Sequence, residues 1–136
     1  MSWSCPNCGR RFARTGQGHE CAPAMTLDEY FSTGPAHERP VFEAVHAFVA
    51  SLGEVHVEPV SVGIFLKRSG GFIELRPMTK WVAMSFPLQR RIVHHQITRP
   101  PIQAGRWVYH VVNLRMPDDF TDEVKAWLVE SWELTS

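Results

Sequence analysis

The hydrophobic pattern of the chain changes at Gly53 from helical spacing to alternation, and this change constrains the fold more than any other feature. From residue 37 to Leu52, apolar residues recur at helical spacing, which predicts an amphipathic helix. After Gly53, apolar and polar residues alternate, as they do in strands with one buried face. A last helix is predicted from about Pro117, where acidic residues follow in its first turn. This order predicts an α+β fold, with helices covering one face of an antiparallel meander sheet of four to six strands.

Local signals add the remaining elements and their bounds. Thr26 and Glu29 match a capping box, which predicts a short helix that ends near Gly34. Gly53 is placed to cap the longer helix. The strands are expected at residues 55–58 (interrupted by Pro59), 62–67, 72–76, 81–86, more weakly at 92–97, and at 107–114.

Alternation along the first hairpin gives the predicted sheet two different faces. An apolar set should pack under the helices, namely Val62, Ile64, Leu66, Ile73 and Leu75. The opposite set mixes aromatic rings with charges, namely Phe65, Lys67, Phe72, Glu74 and Arg76, with Trp81 expected to join it. Such a face can bind nucleic acid or another anionic ligand, remain solvated, or contact a protein such as a second copy of the chain. The candidate ligand-binding residues are Lys67, Arg76, Lys80, Trp81, Arg91, Tyr109 and His110.

Charge is segregated along the chain although the formal net charge is zero. Residues 59–116 carry nine Lys and Arg against Glu74, whereas residues 25–58 and 117–136 are each acidic by five charges. No apolar run approaches the roughly 18 residues of a membrane span, so no membrane association is expected. No targeting segment is visible, and the cytoplasm is the expected location.

The only residues that indicate a specific chemistry lie in the first 24 residues, the predicted N-terminal domain. Cys5 and Cys8 are followed after ten residues by His19 and Cys21. Three thiolates and one imidazole are a ligand set for tetrahedral, structural Zn²⁺. Gly9 can take a positive φ after the second cysteine, and Phe12 is expected to form a small core under the metal. The sequence therefore predicts a zinc knuckle at residues 1–24 and an α+β domain at residues 25–136.

Two other interpretations of the cysteines stay open. Cys5 and Cys8 have the spacing of a redox pair, although such pairs usually open a helix in a βαβ unit. Alternatively, one of them forms a disulfide with Cys21, which would leave one thiol over.

Catalysis has little support in the sequence. His110 and Lys80 are the candidates for an alternative enzymatic site, but no nucleophile or acid can be assigned to them. A histidine among apolar residues is more often a core residue with a backbone partner.

Residues 26–136 resemble the bacterial domain-of-unknown-function 5655 family. The similarity is carried by the opening Thr26–Phe31 segment, the Lys80-Trp81 pair before a hydrophobic strand, and the Tyr109-His110-Val111 run. The N-terminal Cys-Pro-x-Cys-Gly-Arg-x-Phe segment that ends in His-x-Cys is similar to segments found in such proteins. The resemblance implies this fold and zinc ligation, and implies no activity.

Overall fold

The computed structural model describes residues 3–6, 8–12, 14–16, 25–68 and 71–135. A short hairpin of β1 and β2 precedes two helices, a six-stranded sheet and a final helix. The elements are β1 (Trp3–Ser4), β2 (Arg11–Phe12), α1 (Leu27–Phe31), α2 (Glu38–Leu52), β3 (His56–Val60), β4 (Gly63–Lys67), β5 (Gly71–Pro77), β6 (Val82–Leu88), β7 (Ile102–Ala104), β8 (Trp107–Leu114), a 3₁₀ turn (Pro117–Asp119) and α3 (Asp122–Leu134). This confirms the α+β class.

Strands β3 to β8 form one six-stranded sheet, which is antiparallel throughout and has the order β3-β4-β5-β6-β8-β7. The first four form the expected meander. β8 then pairs with β6, and β7 occupies the outer edge. The sheet is therefore a meander with one strand displaced to its edge.

The first helix begins, and the second ends, at the residues that the capping signals indicate. Thr26 Oγ1 accepts a hydrogen bond from the Glu29 N–H, and a Glu29 carboxylate oxygen accepts one from the Thr26 N–H, which completes the capping box. Gly53 caps α2, and a Cβ atom there would lie 2.7 Å from Trp132 of α3. Glycine is therefore required at residue 53 for close packing against α3.

One hydrophobic core lies between the helices and a single face of the sheet. Its members come from α2 and α3 and from the alternating inward positions of β4, β5, β6 and β8. The apolar face predicted from Ile64, Leu66, Ile73 and Leu75 is confirmed, since all four are almost completely buried.

Three details of the first two hairpins differ from the prediction. Val62 is 47% exposed because it lies in the β3–β4 turn and not in a strand. β3 continues through Pro59, which an edge strand tolerates because the missing N–H faces away from the ladder. A bulge between Leu66 and Lys67 pairs Lys67 with Gly71. Phe72 is consequently buried against Trp132 of α3 at a ring separation of 5.6 Å, so its assignment to the open face is wrong.

The weak strand predicted at residues 92–97 is not formed; that segment is a loop. Contacts with side chains, and not the hydrogen bonds of a strand pair, fix the position of this loop. The Ile92 N–H donates to the His110 ring, and His94 packs against Trp127 of α3. α3 also begins later than predicted, with Thr121 as its N-cap, because Pro117–Asp119 form a separate 3₁₀ turn. In the described part of the chain, no helix has the length and apolar character needed to cross a membrane.

Candidate functional site

The sheet face opposite the helices, called the open face here, carries the candidate site. Register places Phe65, Glu74, Ser85 and Val111 in one row across four strands. The next row toward the β5–β6 turn contains Arg76, Ala83 and Asn113. Since side chains alternate along a strand, Tyr109 and Arg115 lie on the same side as Val111.

One end of this face, the basic end, combines cations with an aromatic ring. Arg76 is exposed and lies 3.0 Å from Glu74. Trp81 is half-buried just before β6, and the Arg115 guanidinium lies 5.9 Å from the centre of its ring, within cation–π range. Lys80, in the β5–β6 turn, is exposed. The structure therefore brings together Arg76, Lys80 and Trp81 from the predicted set and adds Arg115 to them.

Two buried polar atoms lie at the basic end without a hydrogen-bond partner in the described part of the chain. They are Nε1 of Trp81, a donor, and Oδ1 of Asn113, an acceptor. The other amide atom of Asn113 donates weakly to Thr98, at 3.4 Å. Unsatisfied buried polar groups are costly and are concentrated at functional positions in native proteins.

The middle of the open face is a shallow, mainly apolar depression of about 140 Å³. Phe65 and Tyr109 supply its aromatic walls, while Glu74 and Ser85 supply its polar atoms. Tyr109 is 37% exposed, so its ring is available for stacking. The depression lies between the N-terminal segment, which contains the β1–β2 hairpin, and the edge of the sheet that β8 and β7 form.

Lys67 is on the open face but is inaccessible, because the N-terminal segment covers it. Its side chain is 7% exposed, and its ammonium donates to the Arg11 carbonyl oxygen at 2.9 Å. The same ammonium lies 3.1 Å from Glu58 and 4.1 Å from the centre of the Phe12 ring. Lys67 therefore attaches the N-terminal segment to the sheet, a position that differs from the exposed one expected from the sequence.

Glu58, which is only 1% exposed, is the centre of this attachment. Its carboxylate accepts hydrogen bonds from Arg10 Nε at 3.0 Å and from the Arg11 N–H at 2.9 Å, and His56 lies at 3.1 Å. Burial by itself would raise the pKa of Glu58, but these bonds and that of Lys67 outweigh burial and lower the pKa below its ordinary value. Burial also lowers the pKa of Lys67.

His110 lies on the other side of the sheet and is completely buried. Nδ1 lies 3.1 Å from the Val108 carbonyl oxygen, and Nε2 accepts from the Ile92 N–H at 3.0 Å. The neutral tautomer with a proton on Nδ1 satisfies both contacts, and burial lowers the pKa of the ring. His110 is a structural core residue in this arrangement. It pairs with Phe86 in β6 and is buried, whereas Lys80 is exposed in the turn before β6, so the two do not form a common site.

Arg91 is exposed in the loop after β6 and is not part of the basic end. The predicted ligand-binding set is thus divided. Arg76, Trp81 and Tyr109 lie on the open face, and Lys80 lies in the adjacent β5–β6 turn. Arg91 is in a different loop, and Lys67 and His110 are buried. Sequence reasoning missed Asn113 and Arg115. Continuing the alternation of β8 beyond Tyr109 would have placed both on the open face.

Two of the four predicted metal ligands lie in the described residues. Cys5 and Cys8 are buried at the β1–β2 turn, beside Phe12 and Trp3. Gly9 has a φ of +73°, and its N–H donates to the Cys5 carbonyl oxygen at 2.8 Å. His19 and Cys21 lie outside the described residues. Within the described ranges no group of three or more metal-ligating residues occurs. A turn that buries two cysteines together in one small cluster fits a pair of thiolate ligands.

These features define a small α+β domain with helices on one face of its sheet and a basic, aromatic end on the other. The chain belongs to the family described as Domain of unknown function (DUF5655), whose model matches residues 27–135. This confirms the family to which the sequence was compared; the N-terminal cysteine segment lies outside the matched residues. No curated protein and no solved structure matches the chain.

Proposed function

We propose that the chain is a binding module that takes up single-stranded nucleic acid on its open face. The observation that carries the proposal is the position of Arg76, Trp81 and Arg115 at one end of a face whose centre is an aromatic depression. Proteins that bind single strands combine cations for the phosphates with rings on which bases stack.

The dimensions of the face suit an extended strand. Tyr109 and Arg115 are six residues apart on β8 and its continuation, which corresponds to about 20 Å at the usual rise of a strand. Bases would stack on Tyr109 and in the adjacent depression, while Arg76, Lys80 and Arg115 would contact phosphates. Glu74 holds the guanidinium of Arg76 over the face. A protein partner, including a second copy of the chain, is the alternative occupant of this surface.

The test is the salt dependence of oligonucleotide binding, measured by fluorescence anisotropy with a labelled single-stranded 12-mer. In the double variant Arg76→Gln/Arg115→Gln, two phosphate contacts are removed. The slope of log K against log salt should then become shallower by about 1.4, since each contact contributes about 0.7 for single strands. Tyr109→Ala should weaken binding by about 1–3 kcal/mol, the usual value of one stacked base.

Arg39→Gln is the matched control, because Arg39 is an exposed arginine on α2, on the helix side of the molecule. It should leave both affinity and slope unchanged. Absence of binding at low salt would overturn the proposal, as would an equal effect of the Arg39 and Arg76/Arg115 variants. A concentration-dependent dimer that Tyr109→Ala disrupts would then support the protein-contact alternative.

We further propose that Cys5, Cys8, His19 and Cys21 hold a structural Zn²⁺. Support comes from the two buried cysteines, the positive φ of Gly9 and the spacing of the remaining two ligands. The metal would fix the N-terminal segment, whose Arg10 and Arg11 bond to Glu58. Elemental analysis should find one zinc per chain in the wild type, and substitution of Cys5 and Cys8 by Ser should remove it.

A further inference from the structure

A second pocket, of about 210 Å³, lies at the end of the sheet where β3 turns into β4. Its walls come from α1, the loop that follows it, the first turn of α2 and the end of β5. Met25, Pro35 and Pro77 provide apolar surface, and Thr33 and Ser61 provide hydroxyl groups. None of these residues belongs to the open face.

The pocket contains a buried carboxyl group with one oxygen left available. Glu38 is 3% exposed, and its Oε2 accepts a hydrogen bond from the Tyr30 hydroxyl. Its Oε1 points toward Gly34, 3.7 Å from where a Cβ atom would lie. In the described part of the chain, no group donates a hydrogen bond to Oε1. A carboxylate oxygen that faces a pocket without a protein donor can accept a hydrogen bond from a ligand that enters the pocket.

Charge defines the kind of ligand. Glu38 is the only carboxylate in the described lining, and that lining includes no Lys, Arg or His. We propose that this pocket binds a small ligand through a primary ammonium or guanidinium group that pairs with Glu38 Oε1. The Tyr30 hydroxyl holds the second carboxylate oxygen in place. The hydroxyls of Thr33 and Ser61 can accept further N–H groups of the ligand, and an alkyl stem packs on Met25 and the two prolines.

The proposal is tested with n-butylammonium chloride as the probe, followed through the amide resonances of Gly34 and Ser61 in two-dimensional NMR. We expect a saturable shift in the wild type. Glu38→Gln preserves the shape of the side chain and removes its charge, so the affinity should fall at least tenfold. Tyr30→Phe, which frees the carboxylate to rotate, should weaken binding by a smaller factor.

Glu43→Gln is the matched control, because Glu43 is an exposed glutamate on the same helix. It should bind the probe as the wild type does, and sodium butyrate should produce no saturable shift in any variant. The proposal is overturned if n-butylammonium causes no saturable shift, if Glu38→Gln binds equally well, or if butyrate binds at the same place. Oligonucleotide binding on the open face does not enter this experiment, so its outcome is independent of the proposed function.

Discussion

At single residues, the structure assigns definite physical roles to polar side chains that are buried. His110 illustrates this, because its two ring nitrogens connect β8 to the loop after β6. Its ring also stacks on Phe86 at 5.7 Å and so fills core volume. A substitution that keeps the ring and removes the nitrogens separates these contributions.

We therefore predict that His110→Phe lowers the free energy of unfolding by about 1–3 kcal/mol, the cost of leaving a buried N–H without an acceptor. The orphaned group is the Ile92 N–H, whose hydrogen exchange should accelerate. Urea denaturation and amide exchange measure the two effects. Tyr109→Phe, one residue away on the opposite face, should change stability by less than about 0.5 kcal/mol. Equal stability of His110→Phe and the wild type would contradict the assigned role.

Glu38 makes stability depend on pH in a direction opposite to that of most carboxylates. Burial raises its pKa, although the Tyr30 hydrogen bond and the nearby His37 oppose that rise. The folded state therefore holds the Glu38 proton to higher pH than the unfolded state does. Its contribution to stability is present below the ordinary glutamate pKa and declines as pH rises through the raised value.

The predicted consequence is that Glu38→Gln becomes progressively more stable than the wild type as pH rises above the ordinary pKa of about 4.5. Denaturation curves of both proteins between pH 4 and 8 measure the difference, and Glu43→Gln provides the exposed reference. A difference that shrinks with rising pH would show that the surroundings of Glu38 do not raise its pKa.

At the level of elements, the β1–β2 hairpin is attached to β3 and β4 through one buried carboxylate. Arg10, Arg11 and Lys67 all direct N–H groups at Glu58. Rings of Phe12 and Phe65 flank the two side-chain cations, with the Arg10 guanidinium 5.1 Å from the centre of Phe65. Removing one partner of a buried ion pair leaves the others uncompensated, which typically costs about 3–5 kcal/mol.

We predict that Glu58→Gln detaches the hairpin from the sheet, because two buried cations then face a neutral amide. Hydrogen exchange at the Arg11 N–H, which donates to Glu58, should become fast, whereas exchange in β6 and β8 should change little. Glu54→Gln, in the exposed segment just before β3, is the control and should leave Arg11 protected. Full protection of Arg11 in Glu58→Gln would show that the hairpin is held mainly by other contacts.

The order of elements was predictable because it depends on local period and capping, as the confirmed capping box of α1 and the bounds of α2 show. The position of Phe72 was not, since a bulge pairs Lys67 with Gly71 and takes Phe72 out of the alternation, although Ile73 and Leu75 keep their predicted faces. The weak strand predicted at residues 92–97 is a loop, because the partners of this segment are His110 and α3 and not a neighbouring strand. Tertiary contacts of this kind leave no short-range pattern.

The candidate site was predictable to the same extent. Alternation predicts Arg76 and Trp81 on one surface, and Arg76 lies in the open-face row beside Ala83 and Asn113, while the Trp81 ring lies 5.9 Å from the Arg115 guanidinium. Alternation predicts Lys67 on the same face of the sheet as Arg76, but the N-terminal segment covers Lys67. Glu58 bonds to Arg10 and Arg11, which lie 48 and 47 positions away along the chain. No local pattern in the sequence indicates a contact over such a separation.

For the whole molecule, the contacts of Glu58 imply that the N-terminal segment and the sheet stabilise one another. The family match, by contrast, covers only residues 27–135. The core between helices and sheet does not include the hairpin, whose own small cluster consists of Cys5, Cys8 and Phe12 with Trp3 against it. Loss of the Zn²⁺ proposed above should therefore unfold the hairpin and leave the larger core intact. The effect on the sheet should be confined to the strands that the hairpin covers.

We predict that a zinc chelator, or the variant Cys5→Ser/Cys8→Ser, abolishes protection of the Arg11 N–H and partly deprotects β3 and β4. Protection in β6, β8 and α3 should remain at its wild-type level, because those elements pack only within the larger core. Site-resolved hydrogen exchange with and without chelator measures both regions in one experiment. Adding chelator to the double cysteine variant should have no further effect, which controls for non-specific action of the chelator. If chelation instead deprotects all strands together, the metal site and the sheet form a single cooperative unit, and residues 1–24 are not a separable domain.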